Sequence, residues 1–180
     1  YTTWISGGTL DFYAINSTAA SNKSAVSLKG NKNYIKGESQ IIGNASVYGA
    51  NVKFDKGADG RNFSISENEL RITDKSSVDV TGFISGSMVD YFTTMNAIPT
   101  IEATGNIVEI SDSMVKSSSN DTKGFLSGAF AYAHNVYGTN QVFARSPDIT
   151  VNCNAVVAKS SKITSSVYGG FASSQGGGEN

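Results

Sequence analysis

The chain has 180 residues, enough for one domain with a core of its own. Apolar residues make up 39% and charged residues 16%, with a formal net charge of −1; this excludes a highly charged disordered segment and offers no basic footprint for nucleic-acid phosphates. No apolar run reaches the roughly eighteen residues of a spanning helix, and the single Cys153 cannot close an internal disulfide.

Ser, Thr, Asn and Gly together fill about two-fifths of the chain, and such residues turn a backbone more readily than they extend a helix. The expectation is β-structure with many turns. Tyr1 follows no charged and apolar leader, so the chain reads as a mature or excised part of something longer.

In chain order, Trp4-Ile5-Ser6-Gly7 opens a dense run that continues through Leu10–Ile15, and a polar loop follows to Ser24. Ala25–Leu28 reads as a strand, Lys29–Asn33 as its turn, and Tyr34-Ile35 as the next strand. Ile41-Ile42 leads into Val47-Tyr48-Gly49-Ala50, and Asn51–Phe54 alternates polar and apolar. Asp55–Gly60 is a loop of turn formers. Phe63–Ile65, Leu70–Ile72 and Val78–Val80 then form three short alternating runs before Phe83-Ile84-Ser85-Gly86. Ile107–Ile110 and Met114-Val115 precede Phe125-Leu126-Ser127-Gly128. Ile149–Val151, Val156-Val157 and Ile163 precede Val167-Tyr168-Gly169-Gly170.

Two bulky residues followed by two small ones thus recur at 4–7, 47–50, 83–86, 125–128 and 167–170, at offsets of 43, 36, 42 and 42 residues. Self-similarity at such a period signals a repeat architecture. Sliding the chain by 42 superposes Ile65, Ile107 and Ile149; Ile72, Met114 and Val156; and Ser76-Ser77, Ser118-Ser119 and Ser160-Ser161. Each repeat is expected to hold about three short strands and one long connection, stacked on the like strands of the next repeat. The glycine at the end of each motif is expected to let the backbone bend at a corner. The apolar connections at 88–105 and 129–146 are expected to fold back as side extensions, with a weakly signalled helix across Met88–Met95 as an alternative.

Ile149–Asn152 and Val167-Tyr168-Gly169-Gly170-Phe171-Ala172-Ser173, followed by the glycine-rich 176–180, resemble the passenger-domain repeats of Gram-negative bacterial (type V) autotransporters; Asn44–Ala50 resembles them as well. The resemblance implies an all-β fold, a β-solenoid of the right-handed parallel β-helix kind, exported and displayed outside the outer membrane as an adhesin. Against that pattern, no anchoring barrel is expected within these 180 residues, and the middle copies replace Tyr-Gly-Gly with Ile/Leu-Ser-Gly.

Catalytic groups are scarce. Ser85 and Ser127 sit in Ser-Gly pairs that recur with the repeat, and a corner is needed in every coil whereas a nucleophile is needed once. His134 is the single histidine, so any Ser-His or Cys-His dyad would have to use it. Asp55 and Asp59 with their glycines lack the alternate ligands and closing Glu of a calcium loop. Asp79, Asp121 and Ile163 share a phase of 42, giving two stacked carboxylates, the chemistry of glycoside cleavage. The expectation is no catalytic residue, no metal and no cofactor.

The aromatic residues of the long connections, Tyr91, Phe92, Tyr132, His134 and Tyr137, are the candidate binding residues. The reading is one solenoid domain over 1–180, a non-enzymatic, surface-displayed rod mediating attachment or self-association. Its partners would be a host-cell or bacterial surface protein or glycan, with no nucleic acid and no membrane span. A β-helix polysaccharide-degrading enzyme and a small outer-membrane β-barrel are the alternatives.

Overall fold

The structure, a computed structural model, describes residues 3–12, 25–54, 62–93, 100–118, 124–135 and 148–175. Their regular structure is entirely β-strand. A first circuit comprises β1 (Thr3–Phe12), β2 (Val26–Lys29), β3 (Lys32–Ile35) and β4 (Gln40–Gly43). A second comprises β5 (Ala45–Phe54), β6 (Phe63–Ser66), β7 (Glu69–Ile72) and β8 (Ser77–Val80). A third comprises β9 (Ile84–Thr93), β10 (Thr100–Thr104), β11 (Ile107–Ser111) and β12 (Met114–Ser117). A fourth comprises β13 (Phe125–Asn135), β14 (Asp148–Asn152), β15 (Ala155–Lys159) and β16 (Lys162–Thr164), and β17 (Ser166–Gln175) begins a fifth.

Every fourth strand pairs, in the orders β1-β5-β9-β13-β17, β2-β6-β10-β14, β3-β7-β11-β15 and β4-β8-β12-β16. All of these pairings are parallel. The result is four stacked parallel sheets, three of short strands and one of long strands, an arrangement compatible with a β-solenoid. Each short strand buries too little by itself, and stacking supplies the missing neighbour.

Like residues do lie over like, but not 42 apart throughout. Ile65 pairs with Leu28 and Ala103, and Ala103 with Val151. Ile149 belongs to the adjoining column of Val26, Phe63 and Ile101. Ile107 is on another sheet, between Glu69 and Ala155. Ile72 pairs with Ile35 and Ile110, not with Met114, which lies over Ser77. Along the Leu28 column the spacing is 37, 38 and 48 residues, from positions 28, 65, 103 and 151. The connections differ in length, so a constant offset matches the average circuit and misses most columns.

The glycines keep the better phase. Ile5, Val47, Ile84, Leu126 and Val167 form one column of the long sheet. The copies at 47–50 and 167–170 therefore slip by one residue against the other three. Gly7, Gly49, Gly86, Gly128 and Gly169 fall two residues further on, and a Cβ on any of the first four would come within 2.4–2.7 Å of the next glycine's carbonyl oxygen or of main-chain atoms of the short strands. These glycines have no left-handed φ; they are small because backbones approach there.

Two apolar compartments flank this glycine line. Val47, Ile84 and Leu126 pack with Leu70, Ile72, Val108, Ile110, Val78, Val80 and Val115 on one side. Val52, Val89 and Ala131 pack with Phe63, Ile65 and Ile101 on the other. Val47 and Gly49 face inward and so does Val52, an odd step further, so the strand changes phase at the two small residues. The expected bend is there, inside a continuous strand. Main-chain pairing continues to Thr93 and Asn135, so the first parts of the segments expected as side extensions belong to the long sheet, and Met88–Thr93 is strand, not helix.

Candidate functional site

Between the first and second short-strand sheets the chain turns on two residues, the first left-handed and the second always asparagine. The pairs are Gly30-Asn31 (φ 70°), Glu67-Asn68 (φ 56°), Gly105-Asn106 (φ 68°) and Cys153-Asn154 (φ 53°). The asparagines form a ladder. Asn31 donates from its main-chain N–H and from Nδ2 to Asn68 Oδ1, at 3.0 and 2.9 Å. Asn68 donates likewise to Asn106 Oδ1, at 3.1 and 2.8 Å, and Asn106 to Asn154 Oδ1, at 2.8 and 2.9 Å. The remaining amide hydrogens reach Leu28, Ile65 and Ala103 carbonyls. Asn68 and Asn106 are fully buried, and every polar atom of their side chains is used. A second inward-facing amide, on Asn33, donates to the Tyr48 carbonyl at 3.0 Å. The main chain of the residue that follows each ladder asparagine, at Lys32, Glu69, Ile107 and Ala155, lies against Gly7, Gly49, Gly86 and Gly128 at the bend of the long sheet.

The outer face of that bend is the candidate site. Phe125 and Phe130 are five residues apart on β13, about 16 Å along a straight strand, yet their ring centroids are 4.6 Å apart. The strand is therefore sharply folded, and its two arms enclose a crook. Phe83 lies 4.8 Å from Phe125 and 5.1 Å from Phe130. Tyr168 and Phe171 extend the row, each within 6 Å of Phe125. Tyr48, Met88, Phe125 and Phe130 are buried there. The small-residue bend is braced on this side by Ser85, whose Oγ donates to the Ser87 carbonyl at 2.6 Å, and by Ser6 doing the same to Gly8.

The crook opens toward both ends of the stack. Trp4 is 39% exposed and carries the Lys53 ammonium 5.4 Å from its ring centroid, while Tyr168 is 40% exposed. Lys53, Asp90 and Tyr132 form one column along the rim. Burial pushes the Tyr48 hydroxyl well above the ordinary tyrosine range; its hydrogen bond with Ser46 opposes this more weakly, and the Asp90 carboxylate adds to it. Tyr132 is raised for the same reasons, burial first and Asp90 second.

Of the residues expected to bind, Tyr132 stacks on Phe130 at 6.0 Å and belongs to the rim of the crook. Tyr91 and Phe92 are on β9, in register with Ala133 and His134 of β13, so the backbone brings Phe92 and His134 side by side. Tyr137 lies outside the described residues, as do Asp55, Asp59 and Asp121. Of the two carboxylates that share a phase of 42, Asp79 alone is described: its register partner is Lys116, whose Nζ is 3.1 Å from Asp79 Oδ2. Ser85 and Ser127 are buried, with their hydroxyl oxygens 3.0 Å apart, which makes them rungs of the bend.

Elsewhere the outer faces carry register-fixing charge pairs. Arg71 bridges Glu69 (2.5 Å) and Glu109 (2.9 Å) and lies over the Tyr34 ring. A groove of about 140 Å³ on the fourth sheet is lined by Ser77, Asp79, Met114, Lys116, Lys162 and Thr164. Among the described residues, no group of three or more His, Cys, Asp or Glu side chains is placed to hold a metal ion. No protein-family model, no curated protein and no solved structure matches the chain.

Phe83, Phe125 and Tyr168 were legible only as motif residues, Phe130 as part of the connection that follows its motif and Phe171 as part of the run that carries the resemblance, because their pairing across the bend depends on the fold. The asparagine ladder had a signal: an asparagine shortly after the first short run of each circuit, at positions 31, 68, 106 and 154. Its spacing of 37, 38 and 48 residues hid it from a fixed period.

Proposed function

We propose that the chain is a right-handed parallel β-helix, part of an autotransporter-like adhesin displayed on a bacterial cell surface, and that it acts by contact rather than by catalysis. The observation that supports this best is the aromatic crook running along one face of the stack, with Trp4 and Tyr168 exposed at its mouths and Lys53, Asp90 and Tyr132 along its rim. Aromatic faces beside fixed polar groups suit a surface protein or glycan, since rings contribute contact area at low entropic cost. The outer-membrane barrel alternative is disfavoured because such barrels are antiparallel, whereas every described pairing here is parallel.

The test is binding of the folded chain to bacterial and host-cell surfaces, compared with Trp4→Ala and Tyr168→Ala. A tenfold or greater loss in either variant, with unchanged circular dichroism, is expected. Wild-type binding by both variants removes the crook as the contact. Cleavage of acidic polysaccharides by the purified chain would replace the adhesive reading with the enzymatic one.

A further inference from the structure

The short-strand sheets present different outer faces. On β3, β7, β11 and β15 the charges cancel, with Lys32 and Arg71 set against Glu69 and Glu109. On β8, β12 and β16 they do not. Val78, Val115 and Ile163 pack into the core, so by strand alternation the residues on either side of each point outward. Two outward columns result, with Ser77, Met114 and Lys162 in one and Asp79, Lys116 and Thr164 in the other. Strand geometry sets the columns about 7 Å apart and their rungs about 4.8 Å apart. These six side chains line the groove of about 140 Å³.

Met114 stands at the centre of the groove. It has a paired strand on each side, yet it is 54% exposed, so its exposure belongs to the flank of the stack. Its thioether is an adaptable apolar platform, and around it are one carboxylate, two ammonium groups and two hydroxyls. Asp79 and Lys116 pair at 3.1 Å. Lys162 lies beside Met114 on β12 and has Thr164 two residues further on, so toward the groove it meets no carboxylate. Two lysines against one aspartate leave the groove with positive charge in excess.

That combination fits a sugar ring bearing an acid. The C–H face of the ring can lie on the thioether. Neighbouring hydroxyls can donate to Asp79 and accept from Lys116, while the ring carboxylate meets Lys162. A bare anion would leave Met114 idle and be repelled by Asp79, and nucleic acid needs a far larger basic footprint. The volume falls below the roughly 300 Å³ at which pockets take drug-sized ligands, which leaves room for one ring. We propose that this groove binds a single uronate residue of an acidic polysaccharide. The site goes beyond the contact reading above and shares no residue with the crook, so the two can fail separately.

The test titrates the full chain, labelled at its methionine methyl groups, with trigalacturonate and with its methyl ester, the same sugar without the charges. Met114 reports on the groove, and Met88, buried in the crook, is the internal control. Saturable movement of the Met114 signal with Met88 still is expected, at a Kd on the order of 1 mM for so small a contact. The ester should bind about tenfold more weakly or worse, because the charge-assisted bonds are gone. Added salt should weaken binding of the acid, since the lysines are exposed. Lys162→Gln should weaken the acid about fivefold or more and leave the ester unchanged, whereas Asp79→Asn should weaken both, each with unchanged circular dichroism. A Met114 signal unmoved at about twenty times the expected Kd, equal binding of acid and ester, or a folded Lys162→Gln that binds the acid as the wild type does overturns the proposal. Tighter binding of a sulfated galactotriose than of trigalacturonate would assign the groove to sulfate and overturn the uronate.

Discussion

Removing one rung of the asparagine ladder should cost far more in the middle than at the end. The Asn68 side chain accepts two hydrogen bonds from Asn31 and donates to Leu28 O and Asn106 Oδ1. Asn106 likewise makes four. The Asn154 side chain makes three and that of Asn31 one. A neutral hydrogen bond contributes a net of about 1 kcal/mol, and more where a buried partner is left unsatisfied. Asn68→Ala and Asn106→Ala should therefore lose at least about 4 kcal/mol, Asn154→Ala about 3 and Asn31→Ala about 1. Urea unfolding followed by circular dichroism measures this, with the m-value checked, because a stacked array can open circuit by circuit. Equal losses at Asn31 and Asn68 would refute the ladder as the spine of the bend, whatever the absolute values.

Further outcomes follow from single sites. Gly86→Ala puts a Cβ 2.4 Å from Gly128 O and 2.8 Å from the main chain of Ile107; with only backbone to push against, it should cost about 3 kcal/mol or more, whereas Gly37→Asn, left-handed with open space around it, should cost under about 1 kcal/mol. Cys153→Gly relieves a left-handed non-glycine residue on the surface and should raise the thermal midpoint, by up to about 1 kcal/mol in stability. Tyr48 has a folded-state pKa above its unfolded one, so its neutral form is favoured on folding. Its contribution is fully present below about pH 10 and is lost as pH rises beyond that value. A steep alkaline loss of stability is expected, shallower in Tyr48→Phe; identical pH profiles would count against the buried hydroxyl. Arg71→Met should cost no more than about 1 kcal/mol, with the difference shrinking in high salt because the bridges are partly exposed.

The amino-acid sequence by itself determined that the chain is β, that it repeats, and that each repeat holds three short strands. Those properties reside in local alternation and turn chemistry, as at Phe63–Ile65, Leu70–Ile72 and Val78–Val80. The recurring small pair was legible for the same reason, since a backbone approach admits only small residues wherever it occurs. Only the tertiary structure decided which residues share a column. Register is set by hydrogen bonding between circuits, and connections of unequal length shift it by up to eleven residues, from a spacing of 37 between 28 and 65 to one of 48 between 103 and 151. That shift separated Ile107 from Ile65 and set Lys116 rather than a second carboxylate beside Asp79. The crook was likewise invisible in one dimension: Phe125 and Phe130 meet because the strand folds between them, at Gly128, where the main chain of Ala155 comes too close for any side chain.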